Sequence, residues 1–200
     1  MITDKRKQAI EEAIRNLLTA IGEDPNRTGL QGTPDRVARM FEEIYRGYDD
    51  TQKPKITTFP NGEDGIVYES MVVDEGTFYS CCEHHMMPFF GKYYFAYIPN
   101  PKGRILGISK IGRVVDFCAA RLQVQERLVH DVVDMLTKAL GDENAPLGVA
   151  LLMTGEHLCK TMRGVKKKGT MTSSYLTGVF RDNPQVRAEF MNLIHQDGIN

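Results

Sequence analysis

Two short clusters of cysteine and histidine are the residues of this sequence best suited to hold a metal ion. Cys82 and His85 are separated by two residues, and His157 and Cys159 form a second pair much later in the chain. Thiolate sulfur and neutral imidazole nitrogen are the ligands that zinc prefers in proteins. One such pair often occurs by chance, but two pairs, each at the end of a strand-like pattern, predict a shared metal site.

The spacing alone leaves the ligand set open, because Cys81 and His84 have the same separation as Cys82 and His85. A structural zinc site uses four protein ligands, whereas a catalytic site keeps three and leaves one position for water. We favour the catalytic form on these residues. The alternative is that the cysteines are buried in the core and the histidines are solvated.

The composition is that of an ordinary globular protein with one main domain. The chain has 200 residues, of which 42% are hydrophobic and 26% charged, and its formal net charge is -1. This near-neutral balance argues against general affinity for nucleic acid or membrane surfaces. We expect a cytoplasmic protein, because no apolar stretch approaches the roughly 18–20 residues of a membrane span and no signal-peptide core follows the N-terminus. The four cysteines do not suggest a disulfide framework.

Two amphipathic helices are predicted near the N-terminus. Apolar residues recur at helical spacing over residues 10–21. A second helix begins at Thr33 and Pro34, because a capping residue followed by proline is a common helix start. We expect these helices to form an N-terminal extension, residues 1–50, ahead of a larger domain spanning residues 51–200.

Segments rich in β-branched and aromatic residues follow, and we predict strands at residues 56–59, 66–73, 93–98 and 147–154. The Asp-Glu-Gly sequence at residues 74–76 is typical of a turn. Ser109 has the character of a cap that begins one long helix running to residue 140, and Asn-Pro at residues 183–184 opens a short C-terminal helix. Because helices and strands are grouped rather than alternating, the pattern favours an α+β fold.

Five segments resemble, in the same order, motifs of the GTP cyclohydrolase I family of zinc-dependent hydrolases. They are GTPDRV at residues 32–37, SCCEHHMMPFFGK at 80–92, GISKIGR at 107–113, RLQVQERL at 121–128 and HLCKTMRG at 157–164. The likeness extends from about residue 27 to about residue 194. Specific motifs in the family's order over nearly the whole chain leave little room for coincidence.

This resemblance implies a zinc site formed by Cys82, His85 and Cys159, with water in the fourth position. It leaves His84 and His157 for proton transfer, and His157 is the first candidate for protonating N7 of guanine while water attacks C8. The implied reaction converts GTP to 7,8-dihydroneopterin triphosphate and formate, with zinc as the cofactor and no redox cofactor.

The resemblance also implies a set of substrate-binding residues. Ser109 is the hydroxyl expected near the ribose, and Glu126, with Gln125 beside it, would accept hydrogen bonds from the N1–H and N2 amino edge of guanine. From the residues alone, these two would be read as part of a solvated helix face. The cations expected to bind the triphosphate, partly at a helix N-terminus, are Lys110, Arg113 and Arg163. The basic run at residues 160–168 is attributed to the triphosphate and a solvated turn rather than to nucleic acid.

The fold that the resemblance implies is the tunnelling fold. Each subunit would contribute a four-stranded antiparallel sheet with helices on one side, and sheets from several subunits would close a barrel. The family forms decamers with active sites between subunits. A closed barrel leaves no exposed sheet edge, which is a physical reason to oligomerise. The expected partners are therefore GTP and further copies of this chain.

Two other functions stay open at this stage. A binding module with structural zinc would use Cys81 or Cys118 as a fourth ligand, and a related tunnelling-fold enzyme would act on another purine or pterin. The chain also departs from the family pattern at residues 169–173, where Gly-Thr-Met-Thr-Ser replaces the usual Ser-x-Thr-x-Thr. Hydroxyl groups at these positions could shape the substrate pocket or a subunit contact.

Overall fold

The computed structural model describes residues 4–196. The chain divides into two compact units, with the boundary in the sequence between Gln52 and Lys53. The ends of the two expected regions, residues 1–3 and 197–200, lie outside the described residues. The first unit contains helices α1 (Asp4–Ala20) and α2 (Thr33–Ile44) and two 3₁₀ turns (Arg46–Tyr48 and Asp50–Gln52). Both predicted N-terminal helices are confirmed. Gly22 ends the first one at φ +92°, a left-handed conformation that glycine adopts easily.

The second unit is built on a five-stranded sheet. Its elements are, in order, β1 (Thr58–Pro60), β2 (Val72–Cys82), β3 (Pro88–Ile98), β4 (Arg104–Leu106), α3 (Ser109–Ala119), β5 (Leu122–Gln123), α4 (Gln125–Leu140), β6 (Gly148–His157), α5 (Leu158–Thr161), β7 (Thr170–Leu176), α6 (Val179–Asp182) and α7 (Pro184–Gln196). The strand order in the sheet is β5-β2-β3-β6-β7, and β1 pairs separately with β4. The α+β class is therefore confirmed.

The expected four-stranded antiparallel sheet is found in β2, β3, β6 and β7, but the sheet has a fifth strand. Each of the four long strands is antiparallel to its neighbour. The two-residue strand β5 runs parallel to the end of β2, with Leu122 beside Cys81 and Gln123 beside Cys82. The oligomeric barrel stays a prediction.

Helices pack on both faces of the sheet, so the expectation of helices on one side only is wrong. Side chains alternate between the faces of a strand. Phe95 and Leu151 belong to the larger core together with residues of α3 and α4. Their neighbours Ala96 and Ala150 belong to a second core that includes buried side chains of α6 and α7. The small alanines leave room on that face for the bulky residues Phe180 and Phe190.

The predicted single helix from Ser109 to residue 140 is two helices, because the chain leaves helical conformation after Ala119 to pair with β2. α4 begins afresh at Gln125. The local pattern could not reveal this break, since the pairing partner lies about 40 residues earlier. The break matters for function because it places the first residue of α4 against the sheet.

Two further predictions about strands are wrong. Residues 74–76 are not a turn but lie inside β2, where the side-chain hydroxyl of Tyr93 donates to Oδ2 of Asp74 at 3.0 Å. Gly76 is required by packing, because a Cβ there would lie 2.7 Å from the Tyr93 ring. The predicted strand at residues 66–73 begins only at Val72. β7 was not predicted, because its hydroxyl-rich sequence lacks the usual apolar alternation.

No helix within residues 4–196 is long and apolar enough to cross a membrane.

Candidate metal centre and its surroundings

Cys82, His85 and Cys159 come together at one end of the sheet, where strands β2 and β6 finish. Within residues 4–196 they form a group whose ligand atoms all lie within 4.8 Å of one another. Cys82 is the last residue of β2, and Cys159 follows the end of β6. Both strands are antiparallel to β3, which lies between them, so their C-terminal ends lie at the same end of the sheet. Strand topology therefore unites two clusters that are more than 70 residues apart.

A tight turn after β2 carries the second ligand of this group. The carbonyl oxygen of Cys82 accepts a hydrogen bond from the Met86 N–H at 2.8 Å, and Met86 adopts φ 55°. Few residues other than glycine adopt this left-handed conformation. The turn brings His85 back towards the sulfur of Cys82.

Among the residues that the structure describes, the alternative ligand pair does not assemble. Cys81 and Cys82 point to opposite faces of β2 because they are consecutive. His84 lies beside the group, with Nδ1 3.8 Å from the sulfur of Cys82. Cys118 is fully buried in the core. Neither Cys81 nor Cys118 joins the group as a fourth ligand in this part of the chain.

The electrostatics of the three residues suit a cation. Burial raises the pKa of the Cys159 thiol, and the nearby Cys82 sulfur raises it further, first through a hydrogen bond and then through the repulsion between two adjacent thiolates. A divalent cation would remove this repulsion and stabilise both thiolates. Nη1 of Arg163 lies 2.6 Å from Nε2 of His85. Because a guanidinium only donates, Nε2 of His85 is the acceptor in this contact, and a metal bound at that nitrogen would replace Arg163. Two sulfurs and one imidazole are a donor set that fits zinc.

His157, the last residue of β6, is held on two sides. Its ring stacks on that of Phe89, with centroids 4.5 Å apart and planes 6° from parallel. Its Nε2 lies 2.9 Å from Oε1 of Gln125. Burial lowers the pKa of His157, while the charge of Glu126 acts in the opposite direction and Lys160 lowers it slightly. The protonated imidazolium form of His157 is therefore a stronger acid than that of an ordinary histidine.

Gln125 and Glu126 are adjacent in sequence but lie in different environments. The Gln125 side chain is fully buried, and its Nε2 lies 3.0 Å from each of three acceptors: Met153 O, Met171 O and Ser173 Oγ. Glu126 is exposed and close enough to His157 to influence its pKa. The two neighbours therefore have different contacts, which the motif alone did not distinguish.

The residues expected at the triphosphate come from two places. Ser109, Lys110 and Arg113 occupy the first turn and a half of α3, where Ser109 and Arg113 are exposed and Lys110 is half-buried. Arg163 is exposed and contacts the metal group through His85. The roles of all four stay predictions.

An ion pair that the sequence reasoning missed supports the turn containing Glu83. The Glu83 carboxylate pairs with Arg127 of α4, whose Nε donates to Oε1 of Gln123 at 2.8 Å. The Gln123 carbonyl oxygen in turn accepts the Glu83 N–H at 3.0 Å. Gln123 is fully buried. The available signal was the Gln-Val-Gln-Glu-Arg sequence at residues 123–127, in which both glutamines are buried and the two charged residues that follow are exposed.

The fold and the site define a class of protein: an α+β chain in which two thiols and an imidazole meet at the end of an antiparallel sheet, beside a half-buried histidine. The chain belongs to the GTP cyclohydrolase I family, whose match covers residues 10–195. The resemblance noted in the sequence is thereby confirmed, and with it the assignment to a family of hydrolases.

Individual relatives agree with this membership. The chain is 48% identical over 190 residues to GTP cyclohydrolase 1 of Thermoanaerobacter pseudethanolicus, covering 94% of this chain and 97% of the relative. It is 44% identical to GTP cyclohydrolase 1 of Clostridioides difficile, with coverage of 94% and 96%. It is also 46% identical to the bifunctional protein FolKE of Lactococcus lactis, covering 92% of this chain and 52% of that protein. A crystal structure of archaeosine synthase QueF-Like matches 55% of this chain and 94% of its own, at 20% identity and a TM-score of 0.41, which is too low to support a conclusion.

Proposed function

We propose that this chain hydrolyses GTP to 7,8-dihydroneopterin triphosphate and formate, with a zinc ion bound by Cys82, His85 and Cys159. The observation that carries the proposal is the convergence of these three ligands to within 4.8 Å in a chain of this family. When bound, zinc would act as a Lewis acid that makes water nucleophilic near neutral pH. The steps below concern the groups that the chain itself supplies.

His157 is the proposed acid. Its ring is held by Phe89 and Gln125, so it meets the substrate in one orientation. Its lowered pKa favours release of a proton once one has been acquired, which suits transfer to N7 of guanine. His84 is exposed beside Cys82 and is the second candidate for proton transfer.

Glu126 is the proposed reader of the base. Its carboxylate is exposed next to His157 and could accept two hydrogen bonds from N1–H and the N2 amino group of guanine. Adenine lacks this pair of donors, so it would leave the carboxylate without partners. Such an unpaired group in a closed site costs a few kcal/mol.

The triphosphate would be bound by cations from two elements. Lys110 and Arg113 stand at the start of α3, where the helix dipole favours anions, and Ser109 beside them would contact the ribose. Arg163 lies against His85, so it would place positive charge next to the reacting ring.

The chain is also proposed to act as a cytoplasmic homo-oligomer, a decamer with active sites between subunits. The sheet supports this through its edges. β2 has a strand neighbour on its outer side only at Cys81 and Cys82, and β7 is the opposite edge strand within the described chain. Unpaired edges of this length are normally covered or paired.

The decisive experiment is incubation of the purified, zinc-loaded protein with GTP. Formate and a product that becomes a fluorescent pterin on oxidation should appear together. ATP in place of GTP is the matched control and should give neither. A protein that binds zinc stoichiometrically, unfolds on chelation and leaves GTP intact would instead be a structural-zinc module.

A further inference from the structure

The carboxamide of Gln125 is fixed in one orientation by its surroundings. A primary amide nitrogen carries two N–H groups, and the backbone oxygens of Met153 and Met171 can only accept hydrogen bonds. Both oxygens, together with Ser173 Oγ, lie 3.0 Å from Nε2 of Gln125. The reverse orientation would press Oε1 against two carbonyl oxygens in a fully buried position. The amide nitrogen must therefore face the strands.

This orientation determines which nitrogen of His157 carries a hydrogen. Oε1 of Gln125 faces Nε2 of His157 at 2.9 Å, and an amide oxygen only accepts. Nε2 must therefore be protonated for the hydrogen bond to form. Stacking on Phe89 keeps the ring in the same plane. The nitrogen that has a free lone pair in the neutral ring is consequently Nδ1.

We propose that Gln125 is a positioning residue which holds His157 in the Nε2–H tautomer, so that Nδ1 is the atom that takes up a proton from water and delivers it to N7 of guanine. The inference rests on the proposed role of His157 as the acid. It replaces direct substrate binding by the Gln125 side chain, whose amide atoms are all engaged with the protein.

Two other features of the chain are explained by this arrangement. A Cβ at Gly155 would lie 2.8 Å from Oε1 of Gln125 and 3.1 Å from the Phe78 ring, so glycine is the residue that leaves space for the amide. The segment at residues 169–173, where the chain departs from the family pattern, leads into β7 and forms its first four residues from Thr170 onwards. It supplies two of the three acceptors for the amide through Met171 and Ser173.

The tautomer can be measured directly in the wild-type protein. Long-range ¹H–¹⁵N correlation of protein labelled with ¹⁵N-histidine, recorded at about pH 8 where unperturbed imidazole is neutral, distinguishes the two ring nitrogens. The signal of His157 among the five histidines is assigned by its loss in His157→Asn. We expect Nε2 to carry the hydrogen. An Nδ1–H tautomer, or a mixture of the two, would overturn the proposal even if no variant folds.

A variant then tests whether the Gln125 amide determines the tautomer of His157. Gln125→Met keeps the length of the side chain but removes the amide, and we expect His157 to populate both tautomers. The turnover number for GTP should fall by about 10- to 100-fold with little change in KM. Gln185→Met, the same change at an exposed position of α7, should alter neither quantity.

The outcomes separate this inference from the proposed function. If Gln125→Met raises KM while kcat and the tautomer stay unchanged, the amide binds substrate and the inference fails, although GTP hydrolysis stands. If wild-type protein leaves GTP intact, the proposed function fails, yet the tautomer measurement still decides whether Gln125 orients His157.

Discussion

At the scale of single residues, the position of a side chain on its strand decides what it can do. Cys81 and Cys82 are neighbours with the same chemistry, yet only Cys82 joins His85 and Cys159. Gln125 and Glu126, the first two residues of helix α4, also differ, since one is fully buried and the other exposed. A motif identifies such pairs, but the direction of each side chain assigns them different contacts.

Removing a proposed ligand should empty the metal site. We expect purified wild-type protein to hold about one zinc per chain, and Cys82→Ala or Cys159→Ala to lose it, because two remaining ligands bind zinc poorly. Metal content is measured by elemental analysis after dialysis. Cys81→Ala is the matched control and should keep its zinc. The reverse result, with Cys81 required and Cys82 dispensable, would show that the ligand assignment is wrong by one residue.

Replacing the proposed acid should stop the first ring opening without removing the metal. His157→Ala is expected to keep stoichiometric zinc and to form formate about 10²- to 10⁴-fold more slowly, as is typical when a positioned acid–base group is lost. Ser109→Ala should still open the ring but form pterin slowly, because its proposed contact is with the ribose. Samples are taken over time for formate, open-ring species and pterin.

These two variants also test each other. Pterin formation by His157→Ala at the wild-type rate would remove His157 from the chemistry. A Ser109→Ala protein blocked before any ring opening would place Ser109 with the triphosphate instead of the ribose.

At the scale of elements, the site depends on how closely three strands approach. β2 and β6 both pair with β3, and their ends carry Cys82 and His157. Gly91 on β3 lies opposite Gly155 on β6. A Cβ at Gly91 would lie only 1.9 Å from the carbonyl oxygen of Thr154. The pairing that aligns the ligands therefore has no room for a side chain at this point.

Gly91→Ala should disrupt the pairing of β3 with β6. The clash is with backbone, which cannot move without breaking sheet hydrogen bonds, so we expect a loss in unfolding free energy of more than about 3 kcal/mol or a failure to fold. Gly22→Ala is the control: it has open space around it but φ +92°, and should lose only about 1 kcal/mol. Urea unfolding followed by circular dichroism compares them. Equal stability of the two variants would contradict the observed register.

At the scale of the whole molecule, the second unit is organised around one sheet with a core on each face. The larger core lies between the sheet and helices α3 and α4, and it contains Cys118, which is fully buried. Burial raises the pKa of the Cys118 thiol from 9.0 to about 12. This buried thiol gives the core a pH dependence that can be measured.

The stability of the folded chain should fall with rising pH in a way that depends on Cys118. Between pH 9 and about 12 the folded state keeps a proton that the unfolded state loses. The unfolding free energy should therefore decrease by up to about 1.4 kcal/mol per pH unit. Cys118→Ala removes this contribution, so its decrease should be shallower, although the small cavity lowers its stability at every pH. Parallel curves for the two proteins would show that Cys118 ionises equally in both states.

Much of this protein was determined by local sequence. The helical spacing of residues 10–21 predicted α1, and Thr33-Pro34 predicted the start of α2, because capping and periodicity act within a few residues. The residue types of the two Cys/His clusters predicted a metal site and left its ligand register open. The order of motifs identified the family, which the comparisons confirm.

Only the tertiary structure decided how these parts are combined. The break between α3 and α4 exists because Leu122 and Gln123 pair with the end of β2, and hydroxyl-rich β7 is a strand because β6 pairs with it. The contact of Gln125 with His157 joins residues 32 positions apart. Such contacts depend on which strands become neighbours in the sheet. A local pattern cannot contain this information, because it reflects only the conformation of its own segment.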